Sequence, residues 1–182
     1  MIQLNPTCMH KLLDLISPRI FKKEISFRRN EYIKMNGSID SKIYFIKKGS
    51  IKISIFQEDH EQIIRFGYDG DLIVAMDSFI HGSYSDYAIQ AIKKTDMLIA
   101  EKEDFMNFIY STSENTNLYI TILEQLGLQQ LERERDLLLD SPKNRYERLI
   151  KRNPRLFQLI PNKHIANYLR MSPETLSRIS KS

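Results

Sequence analysis

The 182-residue chain has a single cysteine, Cys8. This rules out an internal disulfide and any four-cysteine zinc or iron–sulfur site built from this chain alone. Long apolar runs are missing too: none approaches the roughly 18–20 residues that a membrane-spanning helix needs. The first ten residues, MIQLNPTCMH, lack a basic flank followed by an apolar core. They are not a secretory signal by that criterion, and the expected location is cytoplasmic, with no membrane partner. The four histidines, His10, His60, His81 and His164, are scattered, so no haem or other metal site is expected. No nucleophile–base pair, carboxylate dyad or phosphate-cradling glycine loop stands out, and neither an enzyme nor a bound cofactor is expected.

What is present is a globular composition, 42% apolar, with an uneven charge distribution. The net charge of +4 divides at Asp140: from Asp140 onward ten Lys or Arg stand against three acids, +7, while the first 139 residues carry −3. A basic end on an acidic body is the electrostatic footprint of nucleic-acid binding.

Residues 11–20 suggest a short helix, with Leu12, Leu13, Leu15 and Ile16 apolar. From about residue 22 to 101 short isoleucine- and aromatic-rich runs alternate with polar residues, as half-buried strands do: 23–27, 42–46, 50–56, 62–66, 87–92 and 96–100. Gly37, Gly49, Gly67, Gly70 and Gly82 fall in this region and are read as turns. The pattern predicts an antiparallel sandwich or roll, followed by a short helix over 102–110. A proline-free stretch, 114–139, then predicts a long helix with Leu118, Ile122, Leu123, Leu126, Leu128, Leu131 and Leu137 to Leu139 apolar. Its stripe must bury against the roll or a second copy. Gly127 inside it suggests close approach of a partner backbone. Asp140-Ser-Pro breaks the helix, and Ser141-Pro142 starts the next, over 143–151.

Residues 160–179 read as a helix-turn-helix. Counted from Asn162, apolar residues occupy the fourth, eighth, tenth, fifteenth and eighteenth positions: Ile165, Leu169, Met171, Leu176 and Ile179. Ala166 sits where two crossing helices approach closely. Ser172 as N-cap, Pro173 at the first helical position and Glu174 in the first turn mark the start of the second helix. The turn position often held by glycine is Arg170, which carries a backbone cost if φ is positive there. A helix of this kind entering the major groove would turn Ser172, Pro173, Glu174, Ser177 and Arg178 towards the bases. Arg178 can pair bidentately with guanine and Glu174 can accept from a cytosine amino group. An Arg178–Glu174 bridge on the same helix face is compatible with that role. Asn162, Lys163, Thr175, Ser177 and Lys181 are candidate phosphate contacts.

The order of roll, long helix and helix-turn-helix resembles the Crp/Fnr family of bacterial transcription regulators. Residues 43–55 (IYFIKKGSIKISI) look like the family's strand–glycine–strand hairpin, and Gly70-Asp71-Leu72-Ile73 like its glycine–aspartate turn. Residues 172–179 (SPETLSRI) are similar to its recognition helix. The resemblance implies an α+β fold: a cyclic-nucleotide-binding-like antiparallel β-roll, of double-stranded β-helix or jelly-roll type, over 1–112. A long dimerisation helix over 113–139 and a DNA-binding domain over 140–182 would follow. It implies a homodimer on a palindromic operator in double-stranded DNA, half-sites about 34 Å apart, with Glu174 and Arg178 as base readers, and leaves room for RNA polymerase as a partner. Pro173 stands where many members place another arginine or polar reader. The sequence stops three residues after Ile179, where many members continue into a β-hairpin wing, so each subunit is expected to hold DNA weakly by itself.

The ligand cassette departs from the family. Where cyclic-nucleotide-binding members carry Gly-Glu-Leu, this chain has Val74, Ala75 and Met76. Where they carry the phosphate-pairing arginine and a hydroxyl residue, it has Ser85 and Asp86. Loss of the cation and gain of an acid predict no cyclic AMP binding in the usual way. Tyr84, Asp86 and Tyr87 either line a pocket for another ligand or are ordinary surface and core residues. The rival function is a small-molecule sensor module that acts through a protein partner, its DNA affinity lost.

Overall fold

The computed structural model describes residues 20–58 and 60–181. The short helix expected over Leu12 to Ile16, and Cys8 and His10, lie outside the described residues. Eight strands form two four-stranded antiparallel sheets. One has the order β1 (Lys23–Phe27), β8 (Thr95–Ala100), β3 (Ile43–Lys48), β6 (Leu72–Ile73); the other β2 (Tyr32–Lys34), β7 (Ala88–Ala91), β4 (Ser50–Gln57), β5 (His60–Tyr68). Their inner faces interleave Phe27, Tyr44, Ile46, Ile51, Ile53, Ile73, Ile89 and Met97 into a core. The predicted strands all form. β2 and β6, of three and two residues, carry too short a pattern to be read.

Two glycine expectations are corrected. Residues 43–55 are not a paired hairpin: β3 bonds to β6 and β8, β4 to β5 and β7. Gly49 is the corner where the chain crosses between sheets. Its φ is +126°, and a Cβ there would lie 2.4 Å from the Thr95 hydroxyl oxygen, so only glycine fits. Gly67 lies not in a turn but within β5, where a Cβ would come within 2.6 Å of Ile73. Gly70, φ +93°, does make a turn, which Asp71 closes by accepting the Tyr68 N–H at 2.9 Å. Burial pushes the Asp71 carboxyl up to about 7.

A short helix, α1 (Met76–His81), precedes β7, and α2 (Lys102–Tyr110) follows β8. Helix α3 (Ser113–Leu137) starts on the Thr112 side chain, which accepts from the Asn115 N–H. Its 25 residues reach about 37 Å. The apolar residues divide between two faces. Ile122, with Leu118 and Leu126, packs on the roll beside Phe105 and Phe79. Ile120, Leu123, Leu128 and Leu131 remain 40–61% exposed.

Two arginines, Arg148 and Arg152, then lock the next helix to α3. Asp136, 1% exposed, receives Arg148 at 2.8 Å and Arg152, while Glu132 receives Arg148 at 2.5 Å. Helix α4 (Pro142–Arg152) is capped by Ser141, as its sequence predicts; α5 (Pro154–Leu159) is capped by Asn153. Helices α6 (Asn162–Tyr168) and α7 (Pro173–Ser180) follow.

Candidate nucleic-acid interface

Helix α6 buries Ile165, Ala166 and Leu169, each at most 1% exposed, against Leu176 of α7. Ala166 is fully buried at the crossing, as a small residue there must be. Between the helices the chain closes on itself: the Arg170 N–H donates to the Asn167 carbonyl at 3.0 Å and the Met171 N–H to the Ala166 carbonyl at 3.0 Å. Arg170 has φ +54°, the left-handed geometry in which glycine is commonest. The Ser172 hydroxyl caps α7 by accepting the Thr175 N–H at 3.1 Å.

With Leu176 turned inward, Ser172, Pro173, Glu174, Ser177, Arg178 and Lys181 are exposed. Pro173, Glu174, Ser177, Arg178 and Lys181 line one shallow concavity. Glu174 and Arg178 form no ion pair with each other; the backbone N–H of Glu174, and then the Ser172 hydroxyl, hold the Glu174 carboxyl below its ordinary value. Asn162 and Lys163 are exposed at the start of α6, whereas Thr175 is half-buried beside Ser172. The arrangement offers two cations, Arg178 and Lys181, and one carboxylate on and beside a capped helix.

The basic count of the C-terminal segment overstates the charge on that surface. Arg145 donates to the carbonyls of Leu139 at 2.7 Å and Leu169 at 3.0 Å. Arg148 and Arg152 face Asp136 and Glu132, which fall on the other side of the boundary drawn at residue 140.

The helix-turn-helix is also docked on the roll, which sequence did not foretell. Asn167 accepts the Ile63 N–H at 2.7 Å and donates to the Glu61 carbonyl at 2.8 Å. Arg133 of α3 donates to the Ile63 carbonyl at 3.1 Å and stacks 3.8 Å from the Tyr168 ring centroid. Ile63 and Phe66 of β5 share one core with Leu149, Leu156, Ile165, Tyr168 and Leu176. β4 is consequently buried on both faces at residues 50–54 rather than alternating.

In the ligand cassette, Val74 and Met76 line an apolar cavity of about 40 Å³ between the roll and α3, and Ala75 is buried. The fully buried Ser85 accepts the Tyr87 N–H on its hydroxyl at 3.2 Å. Lys34 is a buried cation beside it, and burial lowers its pKa. Its ammonium donates to the carbonyls of Met35, Ser85 and Tyr87, which uses all three of its N–H groups. Asp86 is exposed, Tyr84 is 75% exposed and Tyr87 is half-buried.

Residues 24–111 match the family model of the cyclic nucleotide-binding domain. FixK2 from Bradyrhizobium japonicum superposes with a TM-score of 0.71 at 18% identity, covering 87% of this chain and 82% of that one. CooA from Carboxydothermus hydrogenoformans, in a mutant form, gives 0.71 at 16%, covering 87% and 74%. The catabolite activator protein of Thermus thermophilus gives 0.55 at 20%, covering 98% and 83%. No curated protein matches the chain in sequence. Residues 24–111 are therefore similar to the cyclic nucleotide-binding domain. The chain as a whole has the fold of the Crp/Fnr transcription regulators, as the order of its elements implied. Among the described residues no helix is long and apolar enough to cross a membrane, and no cluster of His, Cys, Asp and Glu could hold a metal ion.

Proposed function

We propose that the protein is a homodimeric, sequence-specific DNA-binding transcription regulator of the cytoplasm that reads a palindromic operator. The observation that carries this is helix α7, capped at Ser172 and anchored by Leu176, with Glu174 and Arg178 presented together on its exposed face. Arg178 serves a guanine and Glu174 a cytosine; Ser172 and Pro173 border them. Asn162, Lys163, Thr175, Ser177 and Lys181 serve phosphates. Relatives of the same fold support the reading: CooA is described as a CO-dependent transcription factor. Pairing runs through α3, and the domain division is 1–112, 113–139 and 140–182. RNA polymerase is the partner such a regulator would address.

Control by cyclic AMP in the family's usual manner is not part of this proposal. A cyclic nucleotide needs several hundred Å³ and a free cation for its phosphate. The cassette offers about 40 Å³ lined by apolar side chains, and a lysine with no donor to spare. Micromolar binding of cyclic AMP by calorimetry would overturn this part.

The test of the DNA-binding reading is an operator selected from random duplexes, followed by gel shifts with Arg178→Ala. A bidentate guanine contact is worth about 1–3 kcal/mol, so the ratio of specific to nonspecific affinity should drop about 5- to 150-fold. An unchanged ratio would remove Arg178 from base reading. Failure to select any operator, with an affinity flat in salt, would point to signalling through a protein instead.

A further inference from the structure

A second cavity, about 230 Å³, opens where β5, α3 and the C-terminal helices meet. Its lining is mixed. Phe66, Leu156 and the Tyr168 ring supply apolar surface, while Arg65, Arg133 and Gln129 supply polar groups. The charges around it are not balanced. Arg152 and Glu132 also border the cavity, and both belong to the network closed by Asp136 and Arg148. Arg65 and Arg133 form no ion pair among the described residues. Arg65 has a 3.3 Å bond to the Gln130 side chain, and Arg133 has its bond to the Ile63 carbonyl and its stacking on Tyr168.

One guanidinium is buried and the other half-buried. Arg133 is 9% exposed, and burial, reinforced by the charge of Arg133, depresses the pKa of Arg65. Two like charges facing one cavity without a counter-ion destabilise the fold unless something anionic joins them. The Gln129 side-chain oxygen beside them is buried and has no hydrogen-bond partner, so the cavity holds an orphaned polar group as well. A planar guanidinium pairs with carboxylate or phosphate oxygens through two parallel N–H donors.

We propose that this cavity binds a small organic dianion, a dicarboxylate or a phosphate monoester, gripped between Arg65 and Arg133. A volume of about 230 Å³ lies below the roughly 300–1,000 Å³ of sites for drug-sized ligands. The occupant is therefore a compact metabolite, its carbon skeleton against Phe66, Leu156 and Tyr168, and a hydroxyl on it would donate to the Gln129 side-chain oxygen. It differs from the cassette region in residues and in chemistry, touching neither Val74 nor Ser85. Because roll, long helix and helix-turn-helix all contribute walls, the bound anion stabilises their docking by mass action.

Calorimetry on the full chain, without DNA, tests the proposal with succinate and with glycerol 3-phosphate. Submillimolar binding of either is expected, and which of the two binds identifies the oxyanion. Arg65→Gln should weaken it at least tenfold. That variant should fold, since it removes a half-buried cation without a counter-ion, and an unchanged or raised melting temperature checks this. Arg65→Lys should bind at an intermediate level, because an ammonium keeps the charge and loses the fork. Failure of both anions to bind, or equal binding by Arg65→Gln, would overturn the assignment. Neither result bears on operator recognition.

Discussion

Single residues show where the chain departs from the easiest choice. Arg170 sits at φ +54° in a turn that ordinarily takes glycine. The left-handed conformation costs a non-glycine residue about 1–2 kcal/mol, and glycine returns part of that through greater freedom when unfolded. Arg170→Gly should therefore stabilise by up to about 1 kcal/mol, raising Tm by about 2–4 °C in a scanning measurement. A fall in Tm would mean that the turn is not under strain. His164 is a second case. Burial first, then Lys52 and Lys163, push its imidazole down to about 4, with Arg29 adding to them and Glu61 opposing. Its unfolded value is near 6.5, so between pH 6.5 and 4 the unfolded chain takes up a proton that the folded one refuses. Stability contributed by neutral His164 is complete above pH 6.5 and is lost as pH falls towards 4. Asp71, raised to about 7, acts in the opposite sense in that range: its protonated form is favoured in the fold. The contribution of His164 must therefore be read as a difference. Tm of wild type minus Tm of His164→Gln should decline from pH 6.5 to 4, and a flat difference would contradict the burial of this ring.

At the scale of elements, α3 carries two faces with two duties. Ile122 holds it to the roll, 4% exposed, while Ile120, Leu123, Leu128 and Leu131 leave an apolar face uncovered. Among the described residues no atom outside the helix backbone lies within 4 Å of where a Cβ on Gly127 would stand, so none of them asks for a glycine there. A second α3 approaching across that face would. Glycine in a helix interior costs about 1 kcal/mol against alanine, an expense that close helix contact offsets. Leu131→Glu should convert the proposed dimer to monomer at micromolar concentration in sedimentation, with the circular dichroism unchanged. A dimer that survives would place the interface elsewhere. The sequence rendered these elements well where one signal had one meaning. Thr112, Ser141 and Ser172 cap as their residue types suggest, and Pro142 and Pro173 begin helices. Asn153-Pro154 carries the same signal and was readable, yet the turn it opens is only six residues long and has too little periodicity to declare a helix.

Over the whole molecule the order of parts was legible and their mutual arrangement was not. Hydrophobic period names an element as strand or helix, but it does not say which strand a helix asparagine will bind. Nothing local to Asn167 points to Ile63, 104 residues away. The same blindness affects charge. Arg145, Arg148 and Arg152 counted as a DNA-facing excess, whereas folding turns them onto carbonyls of residues 139 and 169 and onto Asp136. The candidate readers Glu174 and Arg178 were legible because they lie within a few residues of their own cap. Arg65 and Arg133 were not, since they come from a strand and a helix 68 positions apart and meet only across the junction cavity.

The clamp of Asn167 on β5 also has a consequence in time. β5 is the outermost strand of its sheet, and the backbone groups at Glu61 and Ile63 that another strand would otherwise seek are taken by Asn167 and Arg133. Asn167 follows Glu61 by 106 residues. At a synthesis rate of about 5–20 residues per second, a nascent roll waits about 5–20 seconds with that edge and the Ile63–Phe66 surface open. In that interval neighbouring nascent chains on one message can add strand to strand. The helix-turn-helix closes that window once it is made and docks, so the segment proposed to read DNA also shields the nascent roll from its own copies.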